Sequence, residues 1–295
     1  MENRNFRQML EAQWEKGNFP CVGLDSEYEK IPTSVSLPKL PLGKGSAIRR
    51  FNHFIVEATK DLVCAYKPNI AFYEAYGDEG WDALKDTIRC INELAPEVPV
   101  ILDAKRADIG NTNNGYVKMA FDYLKTDAIT VHPYLGKEAL QPFLDCADKG
   151  IIVLCRTSNK GAGEFQDRIV EVTDEEAKQW GLPRFTLMPL YQLVAYRVSR
   201  EWNVNGNCAL VVGATYHEEL EAVRQIVGDM PILIPGIGAQ GGDVEKTVKA
   251  GKDSRGKGMI INSSRGIIFA SSGPDFAEAA RRETIKLRDL INQYR

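Results

Sequence analysis

Residues that bind metals or form disulfides are few in this 295-residue chain, and none occurs in a pattern typical of such sites. There are three histidines and six cysteines, and no two cysteines form a CxxC pair. Cys21, Cys64, Cys155 and Cys208 lie in apolar segments of the kind that form strands. We therefore predict buried, reduced thiols rather than disulfides. No spacing of histidine, cysteine and carboxylate indicates a metal, so we expect none.

The sequence also lacks an excess of charge and lacks long apolar segments. Its formal net charge is −3, and no cluster of basic residues suggests a nucleic-acid partner. No apolar segment reaches the roughly 18 residues that a membrane span needs. The first residues, MENRNFRQMLEAQWEKGN, are charged throughout and do not resemble an export signal. We expect a cytoplasmic protein that has no membrane partner and binds a small molecule.

What the chain does contain is a regular alternation of apolar strand-like segments with helical segments. Seven of the eight strand-like segments are clearly followed by a longer segment with helical spacing. Strands that are apolar on both faces and alternate with helices predict a parallel sheet covered by helices. Eight such units predict closure into an α/β fold of the (β/α)₈ TIM barrel type. The eight segments are FPCVGL, DLVCAYK, VPVILD, AITVH, GIIVLC, NCALVVG, PILIPG and GMIIN.

An open doubly wound sheet also alternates strands and helices, and it is the alternative architecture. That fold usually has a glycine-rich turn after its first strand, whereas here GLDSEYEKIP occupies that position. The glycine-rich sequences GIGAQGG and SSRG instead follow the seventh and eighth strands, where barrels commonly bind phosphate. We therefore expect one barrel domain over residues 1–295.

Three segments lie outside a minimal barrel. The first is an amino-terminal helix that has Phe6, Met9, Leu10 and Trp14 on one side. The others are long loops at about residues 26–45, which contain three prolines, and about residues 159–186, which are mostly polar. Both loops follow strands, at the end of a barrel where functional residues usually lie. Loops of this length act as lids, or are disordered or decorative, and the sequence leaves these alternatives open.

The most informative segment is ILDAKRADIGNT, residues 101–112, in which an apolar strand ends in opposed charges. Side chains two residues apart on a strand lie on the same side, so Asp103 and Lys105 should point the same way. Asp108 lies beyond them, on the loop that leads to the next helix. The alternative is a solvated loop with an incidental salt bridge, and only the remaining sequence distinguishes the two.

Seven motifs resemble those of orotidine 5'-monophosphate decarboxylases of the longer bacterial form, and they occur in the family's order. An ordered set along most of the chain is far more specific than any single motif. The resemblance implies a cofactor-independent barrel enzyme that converts orotidine 5'-monophosphate to uridine 5'-monophosphate in de novo pyrimidine biosynthesis. It also implies a homodimer with shared active sites. The motifs are CVGLD, YKPN, DAKRADIGNT, TVHPYLG, CRTSNKGAG, PGIGAQGGD and INSSRGI.

The resemblance implies catalytic roles for the charged residues. Decarboxylation generates negative charge at C6 of the pyrimidine, where no adjacent carbonyl can accept it, so the enzyme must stabilise this charge electrostatically. By resemblance, Asp103 lies near the substrate carboxylate, and Lys105 stabilises the carbanion and then protonates C6 as a general acid. Lys67, at the end of the second strand, holds Asp103 and contacts the ribose.

The resemblance also implies the residues that bind the rest of the substrate. Asp25 accepts hydrogen bonds from the ribose hydroxyls, and Ser158 contacts the pyrimidine. Gln240 bridges the phosphate and the base, within a glycine-rich loop whose backbone approaches an anion closely. Ser264 contributes a backbone amide to the phosphate, and the forked guanidinium of Arg265 matches phosphate oxygens.

Asp108 and Thr112, by the same resemblance, reach into the active site of the partner subunit.

Two other functions remain as alternatives. A magnesium-dependent sugar-phosphate barrel shares the DxKxxD motif but tends to present glutamate at the second strand, so Lys67 argues against it. A catalytically silent nucleotide-binding barrel has no need for Lys105 between two carboxylates.

Overall fold

The computed structural model describes residues 4–35, 43–237 and 243–295. Within these ranges the strands follow the predicted apolar segments, with one additional short pair. The strands are β1 (Pro20–Leu24), β2 (Ala65–Pro68), β3 (Ile101–Arg106), β4 (Ala128–Val131), β5 (Gly150–Arg156), β6 (Ile169–Glu171), β7 (Leu187–Pro189), β8 (Cys208–Val212), β9 (Ile232–Pro235) and β10 (Met259–Ser263).

Eight of these strands form one parallel sheet in the order β2, β1, β10, β9, β8, β5, β4, β3. The two outer strands meet through parallel bridges that join Tyr66 to Val100 and Asn69 to Asp103. The backbone N–H of Tyr66 also donates to the carbonyl of Pro99 at 3.1 Å. These contacts close the sheet into a barrel, so the (β/α)₈ prediction is confirmed and the open doubly wound alternative is wrong.

Helices cover the outside of the barrel, which explains why the strands are apolar on both faces. Every residue of β1, β2, β4, β8 and β10 is buried. The helices are α1 (Phe6–Glu15), α2 (Lys44–Thr59), α3 (Ala71–Glu74), α4 (Gly77–Leu94), α5 (Gly110–Val117), α6 (Gly136–Leu144), α7 (Asp174–Trp180), α8 (Leu190–Arg197), α9 (His217–Val227), α10 (Val244–Gly251), α11 (Arg265–Ile268) and α12 (Phe276–Tyr294).

Helix α1 lies against the amino-terminal ends of the strands. The ring of Phe6 packs on the start of β5 so closely that a Cβ on Gly150 would lie 2.3 Å from it. Arg4, just before the helix, forms an ion pair of 2.6 Å with Asp127, which precedes β4. Trp14 is fully buried. The helix therefore covers the amino-terminal end of the barrel, and among the described residues the carboxyl ends of the strands surround an open cavity.

The segment 159–186 has secondary structure of its own. It contains a helical turn (Lys160–Glu164), β6 and α7, and β6 pairs in antiparallel fashion with β7. Thr173 caps α7, since its hydroxyl accepts from the backbone N–H of Glu176. A small apolar cluster separate from the barrel core holds the segment together and consists of Val172, Ala177, Trp180 and Met188.

The segment 26–45 is described in part. Two short helical turns, Tyr28–Lys30 and Thr33–Val35, follow β1, and α2 begins at Lys44. Residues 36–42 lie outside the described ranges. Across those ranges, no helix combines the length and the hydropathy needed to cross a membrane.

Candidate active site

A cavity of about 490 Å³ opens at the carboxyl ends of the barrel strands, opposite α1. Seven of the ten residues predicted to form the site line this cavity. They come from the ends of five strands that are far apart in sequence, because parallel strands in a barrel all end on the same side. The seven are Asp25, Lys67, Asp103, Lys105, Ser158, Ser264 and Arg265.

Asp103 lies between two lysines in the wall of the cavity. The Nζ of Lys67 donates to Oδ2 of Asp103 at 2.8 Å, and the Nζ of Lys105 donates to Oδ1 at 2.7 Å. Asp103 is 8% exposed and Lys67 is 4% exposed, whereas the side chain of Lys105 is 49% exposed. Lys67 and Asp103 thus form a buried pair, and Lys105 presents its ammonium group to the open cavity.

The protonation states of the buried pair follow from their charges. Burial raises the pKa of Asp103, but the positive charges of Lys67 and Lys105 outweigh it and hold this pKa below the ordinary value. Burial lowers the pKa of Lys67, but the negative charges of Asp103 and Asp25 outweigh it and raise this pKa above the ordinary value. At neutral pH, Asp103 is therefore an anion and Lys67 a cation.

Strand β3 is irregular where it carries these charges. The sequence predicts a plain strand, but the pairing of β3 with β4 shifts register between Leu102 and Arg106. Lys105 lies within the shift and has a φ of +48°, a value that non-glycine residues seldom adopt. Asp103 and Lys105 still face the same cavity, as predicted, but a bulge rather than strict alternation places the lysine.

Asp25 directly follows β1 and is close enough to Lys67 for its charge to raise the lysine pKa. Its Oδ1 atom is buried and has no hydrogen-bond partner among the described residues. The same holds for Oδ1 of Asn262, which also lines the cavity. Buried acceptors without donors are costly, and a ligand that carries hydroxyl or amide donors would satisfy them.

Ser158 lies two residues beyond β5 and directly before the insertion, residues 159–186. A Cβ on Gly213 would lie 2.8 Å from the Cβ of Ser158, so only glycine leaves room for the serine there. The neighbouring backbone N–H of Thr157 donates to Oε1 of Gln166 at 2.8 Å. Gln166 therefore ties the start of the insertion to the wall of the cavity.

The phosphate-binding prediction concerns three residues, of which two are described. Ser264 directly follows β10, and a Cβ on Gly23 of β1 would lie 1.9 Å from its Oγ. Arg265 is exposed at the rim of the cavity and forms no ion pair with any residue in the described ranges. Gln240 lies outside those ranges.

Asp108 and Thr112 do not line the cavity of their own chain. The backbone N–H of Asp108 donates to Oδ1 of Asn113 at 2.9 Å, and Nδ2 of Asn113 donates to the carbonyl of Ala139 at 2.6 Å. These contacts tie the loop to α6. Thr112 is exposed in α5, and Ile109 between them is 65% exposed. The loop is thus anchored at the backbone of Asp108, and Ile109 and Thr112 are exposed.

The cavity residues that were not singled out from the sequence include Asn69, Thr130, Gln166 and Asn262. Asn69, Thr130 and Asn262 lie within the motifs YKPN, TVHPYLG and INSSRGI, so their positions at strand ends were a usable signal. Gln166 lies in none of the motifs, and only the folded insertion brings it to the cavity.

In the described part of the chain, no group of three or more histidines, cysteines or carboxylates is arranged to hold a metal ion.

Comparison with known proteins agrees with this geometry. A family model described as "Orotidine 5'-phosphate decarboxylase / HUMPS family" matches residues 19–282. The orotidine 5'-phosphate decarboxylase of Ralstonia pickettii (strain 12J) is 49% identical over 291 residues, which cover 98% of this chain and 99% of that protein.

Solved structures support the same relationship. The OMP decarboxylase of Leishmania donovani is 36% identical with a TM-score of 0.76, and the match covers 97% of this chain and 99% of that chain. The UMP synthase of the same organism is 38% identical with a TM-score of 0.81, and the match covers 99% of this chain but 56% of that longer chain. The protein described above therefore belongs to the orotidine 5'-phosphate decarboxylase / HUMPS family.

Proposed function

We propose that this protein is a carboxy-lyase that decarboxylates orotidine 5'-monophosphate to uridine 5'-monophosphate in de novo pyrimidine biosynthesis, without a cofactor. One observation carries the proposal: a buried carboxylate, Asp103, is bonded to Lys67 and Lys105 at the open end of the barrel. The names of close, full-length relatives support the choice of substrate.

The chemistry assigned to Lys105 follows from the electron pair that the reaction releases. When the bond between C6 and the carboxylate breaks, carbon dioxide leaves and the electron pair stays on C6. The ammonium group of Lys105 stabilises this negative charge and transfers a proton to C6, which forms the C–H bond of the product. The neutral amine then regains a proton from solvent. Lys105 suits this role because its side chain is partly exposed to the cavity.

Asp103 acts on the substrate before the bond breaks. A substrate carboxylate about 4 Å from an ionised aspartate is repelled by roughly 4 kcal/mol at an effective dielectric constant near 20. Loss of carbon dioxide relieves this repulsion, so the ground state is raised relative to the transition state. The depressed pKa of Asp103 supports this role, since it keeps the aspartate charged.

The remaining cavity residues bind the nucleotide. Lys67 holds Asp103 and contacts the ribose. Oδ1 of Asp25, which has no hydrogen-bond partner among the described residues, accepts a hydrogen bond from a ribose hydroxyl. Ser158 contacts the pyrimidine. Ser264 and Arg265, with Gln240, bind the phosphate, and this remote binding energy helps to organise the reacting end.

We propose that the working enzyme is a homodimer in the cytoplasm, in which Asp108 and Thr112 of each subunit complete the site of the other. Both residues lie outside their own cavity, Asp108 on the loop before α5 and Thr112 in the first turns of α5, on either side of the exposed Ile109. An isologous interface would bring each loop to the partner's cavity by the same rotation. The cytoplasmic location fits the thiols, since all six cysteines are free and four of them are buried.

Loss of orotidine 5'-monophosphate absorbance, measured with purified protein in excess chelator, tests the proposal. We expect turnover that chelator does not change. Activity that disappears with chelator and returns with magnesium would instead indicate a magnesium-dependent sugar-phosphate type of barrel. No turnover under any of these conditions, in a protein that still binds uridine 5'-monophosphate, would indicate a silent nucleotide-binding barrel.

A further inference from the structure

We propose that Thr130 is a positioning residue for the decarboxylation, acting through Asp103 and Lys105. The inference rests on the proposed function, and it adds a residue to which no role has been assigned so far. Thr130 is on β4, is 1% exposed, and has its side chain at the wall of the cavity.

One hydroxyl makes three contacts with the charged segment of β3. Oγ1 of Thr130 donates to Oδ1 of Asp103 at 2.9 Å. The same oxygen accepts from the backbone N–H of Ala104 at 3.0 Å and from the backbone N–H of Lys105 at 3.0 Å. A hydroxyl has one donor and two acceptor positions, so these contacts use its full hydrogen-bonding capacity.

These contacts lie where the backbone is strained. The register shift between Leu102 and Arg106 takes the intervening amides out of the regular pairing with β4. Lys105 has a φ of +48° in this stretch, a conformation disfavoured for residues with a Cβ. The Thr130 oxygen supplies an acceptor for two of these amides. It therefore helps to hold the backbone from which the Lys105 side chain projects.

The contact with Asp103 fixes the other end of the same pair. Oδ1 of Asp103 accepts from both Thr130 and the Nζ of Lys105. Thr130 thus holds Lys105 at its backbone amide and, through Asp103, at its ammonium group. Proton transfer depends strongly on the alignment of donor and acceptor, so freedom at either end should lower turnover more than substrate binding.

The test compares three purified full-length variants with the wild-type enzyme. Thr130→Val keeps the shape and removes the hydroxyl, and Thr130→Ser keeps the hydroxyl. Thr126→Val is the matched control, because Thr126 is equally buried at 1% exposure but donates to the carbonyl of Ala120, away from the cavity. The kcat and KM for orotidine 5'-monophosphate and the Kd for uridine 5'-monophosphate are measured for each.

We expect Thr130→Val to lower kcat about ten- to a hundredfold, the loss that corresponds to one hydrogen bond to a charged group. KM and the Kd of the product should stay within about twofold, because the contact acts mainly on the reacting geometry. Thr130→Ser should recover most of kcat, and Thr126→Val should match the wild type. A residue that only stabilises the fold would not produce this separation of kcat from KM.

The inference is overturned if Thr130→Val turns over as fast as Thr126→Val, if its loss lies in KM, or if Thr130→Ser is no better than Thr130→Val. A wild-type protein that does not decarboxylate the substrate would refute the proposed function and the inference together. An active wild type with an indifferent Thr130 refutes the inference alone. Should Thr130→Val fail to fold, Thr130→Ala, which leaves space for a water molecule, takes its place with the same expected separation.

Discussion

Replacing Asp103 with asparagine should lower the free energy of unfolding by about 3–5 kcal/mol at pH 7, the loss expected when one partner of a buried ion pair is removed. Asparagine is close to aspartate in size and still offers an oxygen to the Thr130 hydroxyl. The change therefore removes the negative charge with little disturbance of packing.

The magnitude follows from the burial of the pair. Lys67 is 4% exposed and its Nζ lies 2.8 Å from Oδ2 of Asp103, so the variant leaves a buried ammonium group without this partner. Lys105 contributes less, because its half-exposed side chain is screened by water. In a Lys67→Met background, Asp103→Asn should therefore lower the free energy of unfolding less than it does in the wild type. The difference between the two losses should be about 1–3 kcal/mol, because the two residues are in direct contact.

The loss of stability caused by Asp103→Asn should also depend on pH in a defined direction. Since the pKa of Asp103 is lowered in the folded state, the unfolded chain binds more protons at acidic pH. The stability that Asp103 contributes is therefore complete above its unfolded pKa of about 3.9 and is lost as pH falls toward the folded value. The difference in the free energy of unfolding between the wild type and Asp103→Asn should be constant near neutral pH and should become smaller below about pH 4.

Urea unfolding followed by circular dichroism measures these differences. Glu283→Gln is a matched control, because Glu283 forms an exposed pair with Lys286 at 3.7 Å, with side chains 44% and 75% exposed. We expect that control to change stability by less than about 1 kcal/mol. An Asp103→Asn variant as stable as the control, or losses that simply add in the Lys67→Met background, would show that the buried pair is not coupled as described.

Three further predictions concern catalysis. Lys105→Ala should abolish nearly all turnover yet leave the Kd for uridine 5'-monophosphate nearly unchanged, and retention of about a tenth of wild-type kcat would exclude it as the proton donor. Arg265→Ala should impair catalysis on the nucleotide but not on a substrate without phosphate, and equal losses on both substrates would contradict the phosphate assignment. Homodimers of Lys105→Ala and of Asp108→Ala should each be nearly inactive. Mixing them should restore activity, since random exchange makes about a quarter of all sites intact. If mass spectrometry verified the exchange and activity did not rise, Asp108 would serve its own subunit's site.

The barrel and the location of its site were determined by the sequence itself. Strands buried on both faces must be apolar throughout, and the helices that cover them must be amphipathic, so the eightfold alternation is visible without coordinates. Because all eight strands point the same way, residues that end them meet at one opening. Asp25, Lys67, Asp103 and Ser264 were therefore predictable as neighbours although they come from four different strands.

Other features depend on contacts between distant segments and could not be predicted from the sequence. The short strands β6 and β7 lack a distinctive apolar pattern, and they form because they pack on the cluster that includes Trp180 and Met188. Gln166 reaches the cavity only because this insertion folds back onto the end of β5.

Around Lys105, too, the sequence predicts one feature and only the tertiary structure decides the others. The alternation of Asp103 and Lys105 predicts that they share a face, which is correct. The bulge that sets the backbone of Lys105, and the Thr130 hydroxyl that holds it, are properties of the pairing between β3 and β4. Strand register is set by packing and hydrogen bonding between the two strands, and neither strand encodes it alone.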